Sequence, residues 1–204
     1  DSSWSNGVAE LGYGDGDEAT LLSYGADPNN KYITTYFRKN FLVGNTTGII
    51  NYTMNVRRDD GIVVYLDGVE IYRNNMPAGA PTFTTLASAA AGDDGNADQS
   101  TTLTVAQLPT GSHLIAAEVH QNAGTSSDIS FDLQLVANRP GVIRGPYLQM
   151  GLPTSGVIRW RTNTPTDSRV RYGTTLGTYT ITVTDAAIVT DHEIQLTGLT
   201  PNTR

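Results

Sequence analysis

The chain has 204 residues with no Cys, and only 16% of its residues are charged. This length suits one large domain or two smaller ones. The uneven distribution of charge favours two domains. Residues 1–138 carry 6 Lys or Arg against 16 Asp or Glu, whereas residues 139–204 carry 7 Arg against 4 Asp or Glu. The net charges of −10 and +3 predict two units with separate surfaces.

The same composition excludes several kinds of protein. No apolar run approaches the roughly 20 residues of a transmembrane helix, so we expect no membrane span. The absence of Cys excludes disulfides, thiolate zinc sites and a Cys nucleophile. The acidic first segment argues against a nucleic-acid partner, because phosphate contacts need clustered Lys and Arg.

Short β-branched and aromatic runs, separated by Gly, Asn, Asp and Pro, predict an all-β fold. In the first segment we predict eight strands, near residues 32–37, 49–57, 62–66, 70–73, 82–86, 101–105, 114–121 and 129–136. This number of strands fits a double-sheet jelly-roll β-sandwich. Asp67-Gly68 predicts a type I′ hairpin turn, because both positions of that turn take positive φ.

Alternation along the strands separates core from surface. Ile115, Ala117 and Val119 are predicted to face the core, and Glu118 and His120 to face the opposite way. That second face is either solvated sheet or the floor of a ligand groove. In residues 129–136 the predicted core positions are Ile129, Phe131, Leu133 and Leu135.

Residues 138–141 are the predicted linker between a first unit, 1–137, and a second unit, 142–204. The second unit has short strands at regular spacing with Trp160 on an early one, which predicts an immunoglobulin-like or fibronectin type III-like sandwich with a buried Trp. Such a sandwich needs about seven strands, whereas this unit has room for about five. Residues 199–203 resemble the corner that precedes the last two fibronectin type III strands, so we expect an incomplete sandwich in a fragment of a longer polypeptide.

The segment Arg57-Arg58-Asp59-Asp60-Gly61 is the strongest candidate for chemistry. Two adjacent carboxylates on a turn between strands can converge on a hard cation, and Ca²⁺ accepts irregular oxygen-rich loops. Alternatively, Asp59 and Asp60 stabilise the turn through backbone amides or pair with the neighbouring arginines.

A second acidic loop, residues 12–18, alternates Gly with acidic side chains. It lacks the Gly and Glu offsets of an EF-hand and the Gly-Lys-Ser/Thr of a phosphate loop. Asp15 and Asp17 remain candidates for a different kind of calcium site.

Three residues near the end of the first unit are candidates for ligand binding: Glu118, His120 and Asp128. A Ser–His–Asp triad of His120 with Ser126 or Ser127 and Asp128 is disfavoured, because no oxyanion hole is evident. We expect His120 to hydrogen-bond the loop that carries Asp128, and His113 and His192 to lie on the surface. Aromatic side chains of this unit could stack on sugar rings, which suggests a polysaccharide or cell-surface glycan as partner.

Residues 142–204 resemble the N-terminal fibronectin-like domain of purple acid phosphatase-type metallophosphoesterases. The resemblance lies in the segments Ile143–Gln149, Ile158–Thr162, Val170–Gly173 and Leu199–Thr203. In that family the domain precedes a catalytic domain that hydrolyses phosphomonoesters at a two-metal centre. None of the metal-ligand motifs occurs here, so the resemblance implies no catalytic residue in this chain, which depends on a C-terminal catalytic domain outside it.

Residues 1–137 resemble a jelly-roll module of large secreted proteins from Bacteroidetes-type bacteria. The segments that carry this likeness are Gly12–Asp17, Thr35–Lys39, Arg58–Gly61, Arg73–Pro77 and Glu118–Gln121. The Asp-Asp-Gly and Tyr-Leu-Asp-Gly segments are also similar to protective-antigen-type lectin domains, some of which hold calcium on paired Asp residues. That second likeness implies calcium on Asp59 and Asp60.

Together these patterns predict a non-catalytic binding or targeting region of a secreted or cell-surface bacterial metallophosphoesterase. Two alternatives stay open: structural or adhesion spacers of a large surface protein, and a calcium-dependent glycan-binding module.

Overall fold

A computed structural model describes residues 3–202 and shows an all-β protein, as the sequence predicts. Its strands are β1 (Leu11–Tyr13), β2 (Thr20–Leu21), β3 (Thr34–Val43), β4 (Asn51–Arg58), β5 (Gly61–Leu66), β6 (Val69–Asn74), β7 (Gln99–Thr104), β8 (Gly111–His120), β9 (Ile129–Asn138), β10 (Val142–Leu152), β11 (Ser155–Tyr172) and β12 (Ile181–Thr197). Within the described residues, no helix is long and apolar enough to cross a membrane. The chain divides into two compact units between Asn138 and Arg139.

The first unit contains two sheets, which we call sheet A and sheet B. Sheet A has the strand order β2-β1-β9-β4-β7, and sheet B has the order β3-β8-β5-β6. Apart from the β5–β6 hairpin, successive strands from β3 to β9 alternate between the two sheets. This order is that of a jelly roll, with the short β2 added in parallel to β1.

The core lies between the two sheets and follows the predicted alternation. Met54 and Val56 of β4 are fully buried, as are Ile62 and Val64 of β5. The predicted inward residues of β8, namely Ile115, Ala117 and Val119, are buried as well. Each large aliphatic side chain of this kind stabilises the fold by about 1.5–3 kcal/mol through burial.

One predicted strand of this unit is wrong. Residues 82–86 form a turn, because Thr85 donates its N–H to the Thr82 carbonyl (2.9 Å) and Thr82 donates its own to Thr85 Oγ1 (2.8 Å). These local bonds replace the pairing that a strand would need. The turn belongs to the long connection 75–98, from which Met76 and Ala87 pack on Val63 of sheet B. The short strands β1 and β2 are not among the predicted strands.

The second unit has a single antiparallel sheet of order β10-β11-β12 among its described residues. About five strands are predicted there, but the 18-residue β11 and the 17-residue β12 are each continuous through register shifts between Arg161 and Ser168. In β11 and again in β12, two short predicted strands therefore form one long strand. Thr203, the last residue of the predicted corner segment, lies outside the described residues.

Two predictions about aromatic side chains in the second unit are also wrong. His192 is buried, with 2% of its surface exposed, rather than lying on the surface. Its two ring nitrogens lie 2.8 Å from the hydroxyls of Thr162 and Ser168, so burial leaves no ring nitrogen without a partner. Trp160 is only half-buried, and its ring stacks on His192 with the centroids 4.8 Å apart.

Candidate metal centre and sheet face

Four loops meet at one end of sheet A. The antiparallel pairing of β1 and β4 with β9 brings the ends of β1 and β4 beside the start of β9. Pairing of β7 with β4 brings the start of β7 to the same end. Each of these loops carries acidic residues, so the register of the sheet, and not sequence proximity, assembles an acidic cluster.

Three carboxylates of this cluster can share one ion. Asp15, Asp94 and Asp128 each offer an oxygen, and these three oxygens lie within 4.8 Å of one another. Two oxygens bound to one Ca²⁺ at about 2.4 Å can be at most about 4.8 Å apart, so the spacing fits a common calcium ion. Asp15 also accepts a hydrogen bond from the Ser130 hydroxyl at 2.8 Å, which orients its carboxylate.

Asp59 lies beside these three carboxylates, with its Cβ 3.5 Å from the position of a Cβ on Gly95, but it is not in the group whose oxygens lie within 4.8 Å of one another. Only 2% of its surface is exposed, and its carboxyl group lies within hydrogen-bonding reach of the Asp60 carboxyl. Burial, together with the charges of Asp60, Asp128 and Asp94, raises the pKa of Asp59 to about 8. A buried carboxylate surrounded by like charges needs a proton or a cation to be stable.

The neighbouring arginines do not supply that cation. Arg57 pairs with Asp98 at 2.8 Å and with Glu10 at 3.5 Å, and Arg58 pairs with Asp93 at 2.8 Å. Among the described ion pairs, none involves a carboxylate of the four-residue cluster Asp15, Asp59, Asp94 and Asp128. The alternative in which Asp59 pairs with an adjacent Arg is therefore not what the structure shows.

Asp60 accepts hydrogen bonds from backbone amides, which is the structural alternative to metal binding that the sequence leaves open. Its two carboxylate oxygens accept backbone N–H groups of Ala91 and Asn122, both at 2.7 Å. This buried side chain holds two loops together, and both of its oxygens have a donor. Asp17, the remaining predicted calcium ligand, is exposed and lies near Asp15 and Glu18 in a separate group of acids.

Two glycines allow the loops to come this close. A Cβ on Gly14, whose φ is +116°, would lie 2.5 Å from Cβ of Asp128. A Cβ on Gly95, whose φ is +67°, would lie 2.7 Å from Cβ of Ser130 and 3.5 Å from Cβ of Asp59. Both positions combine a left-handed backbone with a crowded neighbour, so only Gly fits without strain.

The remaining candidates for ligand binding are divided between two places. Asp128 belongs to the acidic cluster, whereas Glu118 and His120 lie together on sheet B, with Glu118 Oε2 3.4 Å from His120 Nε2. The Tyr65 hydroxyl donates to Glu118 Oε1 at 2.5 Å. Burial and this hydrogen bond raise the pKa of Tyr65 far above its usual value.

Two expectations about histidines are wrong. His120 does not bond the Asp128 loop: its Nδ1 faces the Thr85 carbonyl at 2.8 Å, and Gln121 instead donates to the Asp128 carbonyl at 2.8 Å. His113 is buried rather than on the surface. Adjacent strand residues point to opposite faces, so a shift of one residue decides which side chain reaches a given loop.

Asp94 is the one member of the group Asp15, Asp94 and Asp128 that is not among the metal-ligand or ligand-binding residues predicted from sequence. The available signal was the run Gly92-Asp93-Asp94-Gly95, which resembles the other acidic loops in composition. Asp94 takes a positive φ of 52°, next to the left-handed Gly95. Nothing in the sequence states that this loop lies beside the loop carrying Asp128.

The fold and the acidic cluster thus define an all-β protein with a jelly-roll unit and a candidate oxygen-ligand metal centre. No protein-family model matches the chain, and no curated protein does. Solved structures that match include a β-glucuronidase from Ruminococcus gnavus, with 9% identity over 83% of this chain and 31% of that one, at a TM-score of 0.33.

Two further matches are a β-D-glucuronidase from Dictyoglomus thermophilum and a putative β-galactosidase from Bacteroides fragilis. The first has 6% identity, covers 92% of this chain and 36% of the other, and has a TM-score of 0.35. The second has 9% identity, covers 91% of this chain and 32% of the other, and has a TM-score of 0.33. The chain spans about a third of the length of these structures, and at such TM-scores the likeness carries no argument about function.

Proposed function

We propose that the chain is a non-catalytic accessory region whose jelly roll binds a calcium ion through Asp15, Asp59, Asp94 and Asp128. The observation that supports this most strongly is the Asp59 carboxylate, which is buried among the like charges of Asp60, Asp128 and Asp94. Ca²⁺ would supply the charge that this arrangement lacks, and carboxylate oxygens are its preferred ligands. Asp60 fixes the loops around the ion rather than binding it.

The test is the thermal unfolding of the full chain in EDTA and in millimolar CaCl₂. A ligand at 100 times its Kd stabilises the folded state by about 2.7 kcal/mol, which raises the melting temperature of a chain of this size by roughly 5 °C or more. Extracellular calcium modules bind at about 10⁻⁴–10⁻³ M, so 100 times the Kd corresponds to about 10–100 mM CaCl₂, and the titration should extend into this range.

Two matched variants locate the ion. Asp59→Asn should abolish the calcium-dependent shift, and Asp17→Asn should keep it, because Asp17 lies outside the proposed ligand set. If Asp17→Asn alone removes the shift, the ion sits in the group of Asp15, Asp17 and Glu18 instead. If EDTA and CaCl₂ give the same melting temperature, the proposal is refuted.

The proposed partner is a polysaccharide or a cell-surface glycan, outside the cell of a bacterium. The motifs of residues 143–173 that resemble the purple acid phosphatase family support a place beside a phosphomonoesterase domain, and this stays a prediction from sequence. The chain itself should not hydrolyse p-nitrophenyl phosphate with added Zn²⁺, Fe³⁺ or Mn²⁺. Turnover by the purified chain would contradict its non-catalytic role.

A further inference from the structure

The outer face of sheet B, directed away from the core, carries a row of polar and aromatic residues. The register aligns Tyr36 of β3 with Glu118 of β8, and in the next row Arg38 with Ala116. Ala116 is in turn aligned with Tyr65 of β5. The small Ala116 thus lies between larger neighbours, which makes a depression along the sheet.

A cavity of about 570 Å³, within the size range of small-ligand sites, passes around the edge strand β3. It runs from Trp4, Tyr36 and Arg38 on the outer face to Leu133 and Leu135 of sheet A, and Glu118 lies beside it rather than in its lining. The Trp4 ring lies over the Arg38 guanidinium, 4.1 Å from centroid to Cζ. Tyr36 is 47% exposed and Trp4 is 40% exposed, so both rings present area to solvent.

Polar groups without complete hydrogen bonding lie beside these rings. His120 is fully buried, and its Nε2 has no hydrogen-bond partner. This nitrogen lies 3.4 Å from Glu118 Oε2, and the Thr85 carbonyl of the connection 75–98 lies 2.8 Å from Nδ1, so the His120 ring is enclosed and closed to a ligand. Glu118 is 7% exposed and uses Oε1 for Tyr65, which leaves Oε2 as an acceptor opposite Tyr36.

These features select a ligand with an apolar face and several hydroxyl donors. A sugar ring has both, because its C–H face can stack on an aromatic ring while its hydroxyls donate to a carboxylate acceptor. The charge favours a neutral sugar: Glu118 is an acid, and residues 1–138 have a net charge of −10. An anionic polymer would be repelled by both.

We propose that the outer face of sheet B binds neutral sugar residues of a polysaccharide, with stacking on Tyr36 and Trp4 and with Glu118 as a hydroxyl acceptor. This proposal rests on the proposed function in naming a glycan as the partner, but it does not require the proposed calcium ion, whose ligands are on loops at the end of sheet A.

The test is native affinity electrophoresis of the full chain through gels containing mannan, arabinoxylan or laminarin, with polygalacturonate as the anionic comparison. At least one neutral polymer should retard the wild-type chain, and polygalacturonate should not. Tyr36→Ala should weaken this retardation at least tenfold, and Tyr36→Phe should keep it because the ring remains. Tyr179→Ala, which removes an exposed Tyr from the second unit, is the matched control.

Measurement in CaCl₂ and in EDTA separates the two proposals. Retardation that persists in EDTA supports the sheet B site, whatever the outcome of the calcium melts. The proposal is overturned if no neutral polymer retards the chain, if only polygalacturonate does, or if folded Tyr36→Ala migrates like the wild type. Loss of retardation in EDTA together with an unaffected Tyr36→Ala would place sugar binding at the acidic cluster instead.

Discussion

Replacing Asp59 by Asn tests whether like-charge repulsion is built into the metal-free jelly roll. Asn has nearly the shape of Asp but cannot ionise, so the variant removes the titration of this carboxyl group and little else. In the wild type the pKa of Asp59 is raised from 3.8 to about 8 by burial and by neighbouring carboxylates. Between these values the folded state holds a proton that the unfolded state releases, so stability falls as the pH rises.

The size of this effect follows from the shift. Each pH unit between the two pKa values costs 1.36 kcal/mol, so from pH 4 to pH 7 the metal-free wild type loses up to about 4 kcal/mol through Asp59. The Asp59→Asn variant does not lose this free energy of unfolding, because Asn does not titrate. Any cost of burying its carboxamide, about 1–3 kcal/mol where a polar group lacks a partner, is the same at every pH for the same reason.

The assay is urea unfolding of both chains in EDTA at pH 4, 5, 6 and 7, followed by circular dichroism. Other carboxylates titrate in both chains, so the difference between the two pH profiles isolates Asp59. We expect the free energy of unfolding of the wild type to fall relative to the variant as the pH rises. Adding CaCl₂ at pH 7 should stabilise the wild type alone. Parallel pH profiles, or equal stabilisation by calcium, would refute the reasoning.

Two further predictions concern a buried histidine and a glycine. The hydrogen bond to Asp67 raises the pKa of His113 above 6.5, so its stabilising effect is present below pH 6.5 and is lost as the pH rises through the raised pKa. NMR titration should show this raised pKa, and Asp67→Asn should return it towards 6.5; an unchanged value would contradict the assignment. Gly14→Ala places a Cβ 2.5 Å from Cβ of Asp128, and it should cost about 1–3 kcal/mol more than Gly16→Ala, where nothing lies within 4 Å of the added Cβ. If Gly14→Ala and Gly16→Ala lower the melting temperature equally, the loop around Gly14 moves to accommodate the added Cβ and the prediction is wrong.

Local sequence patterns were sufficient to predict the hairpin turn and many of the buried strand positions of the jelly roll. Asp67 and Gly68 have φ values of 50° and 83°, as the predicted hairpin turn requires. Ile129 and Phe131 are buried at the predicted core positions of β9. These predictions succeed because turn conformation and the two-residue repeat of a strand depend on neighbouring residues alone.

The errors occur where distant groups compete with local preference. The run at 82–86 has strand-forming residues, but hydroxyls of the same run close a turn, and the connection around it packs on sheet B. His192 reads as an isolated surface residue, yet hydroxyls of β11 satisfy both of its nitrogens inside the second unit. A sequence does not show which partners a polar side chain will meet, and those partners decide whether it can be buried.

The sequence alone determined the all-β class, the change of charge after residue 138 and the presence of acidic, Gly-rich loops. Tertiary structure alone decided which of those loops meet. It gave Asp60 two backbone amide donors and left its neighbour Asp59 buried among carboxylates. It also brought Asp94 and Asp128 to Asp15. The physical reason is that strand pairing fixes distances between residues far apart in the chain, and charge acts through those distances.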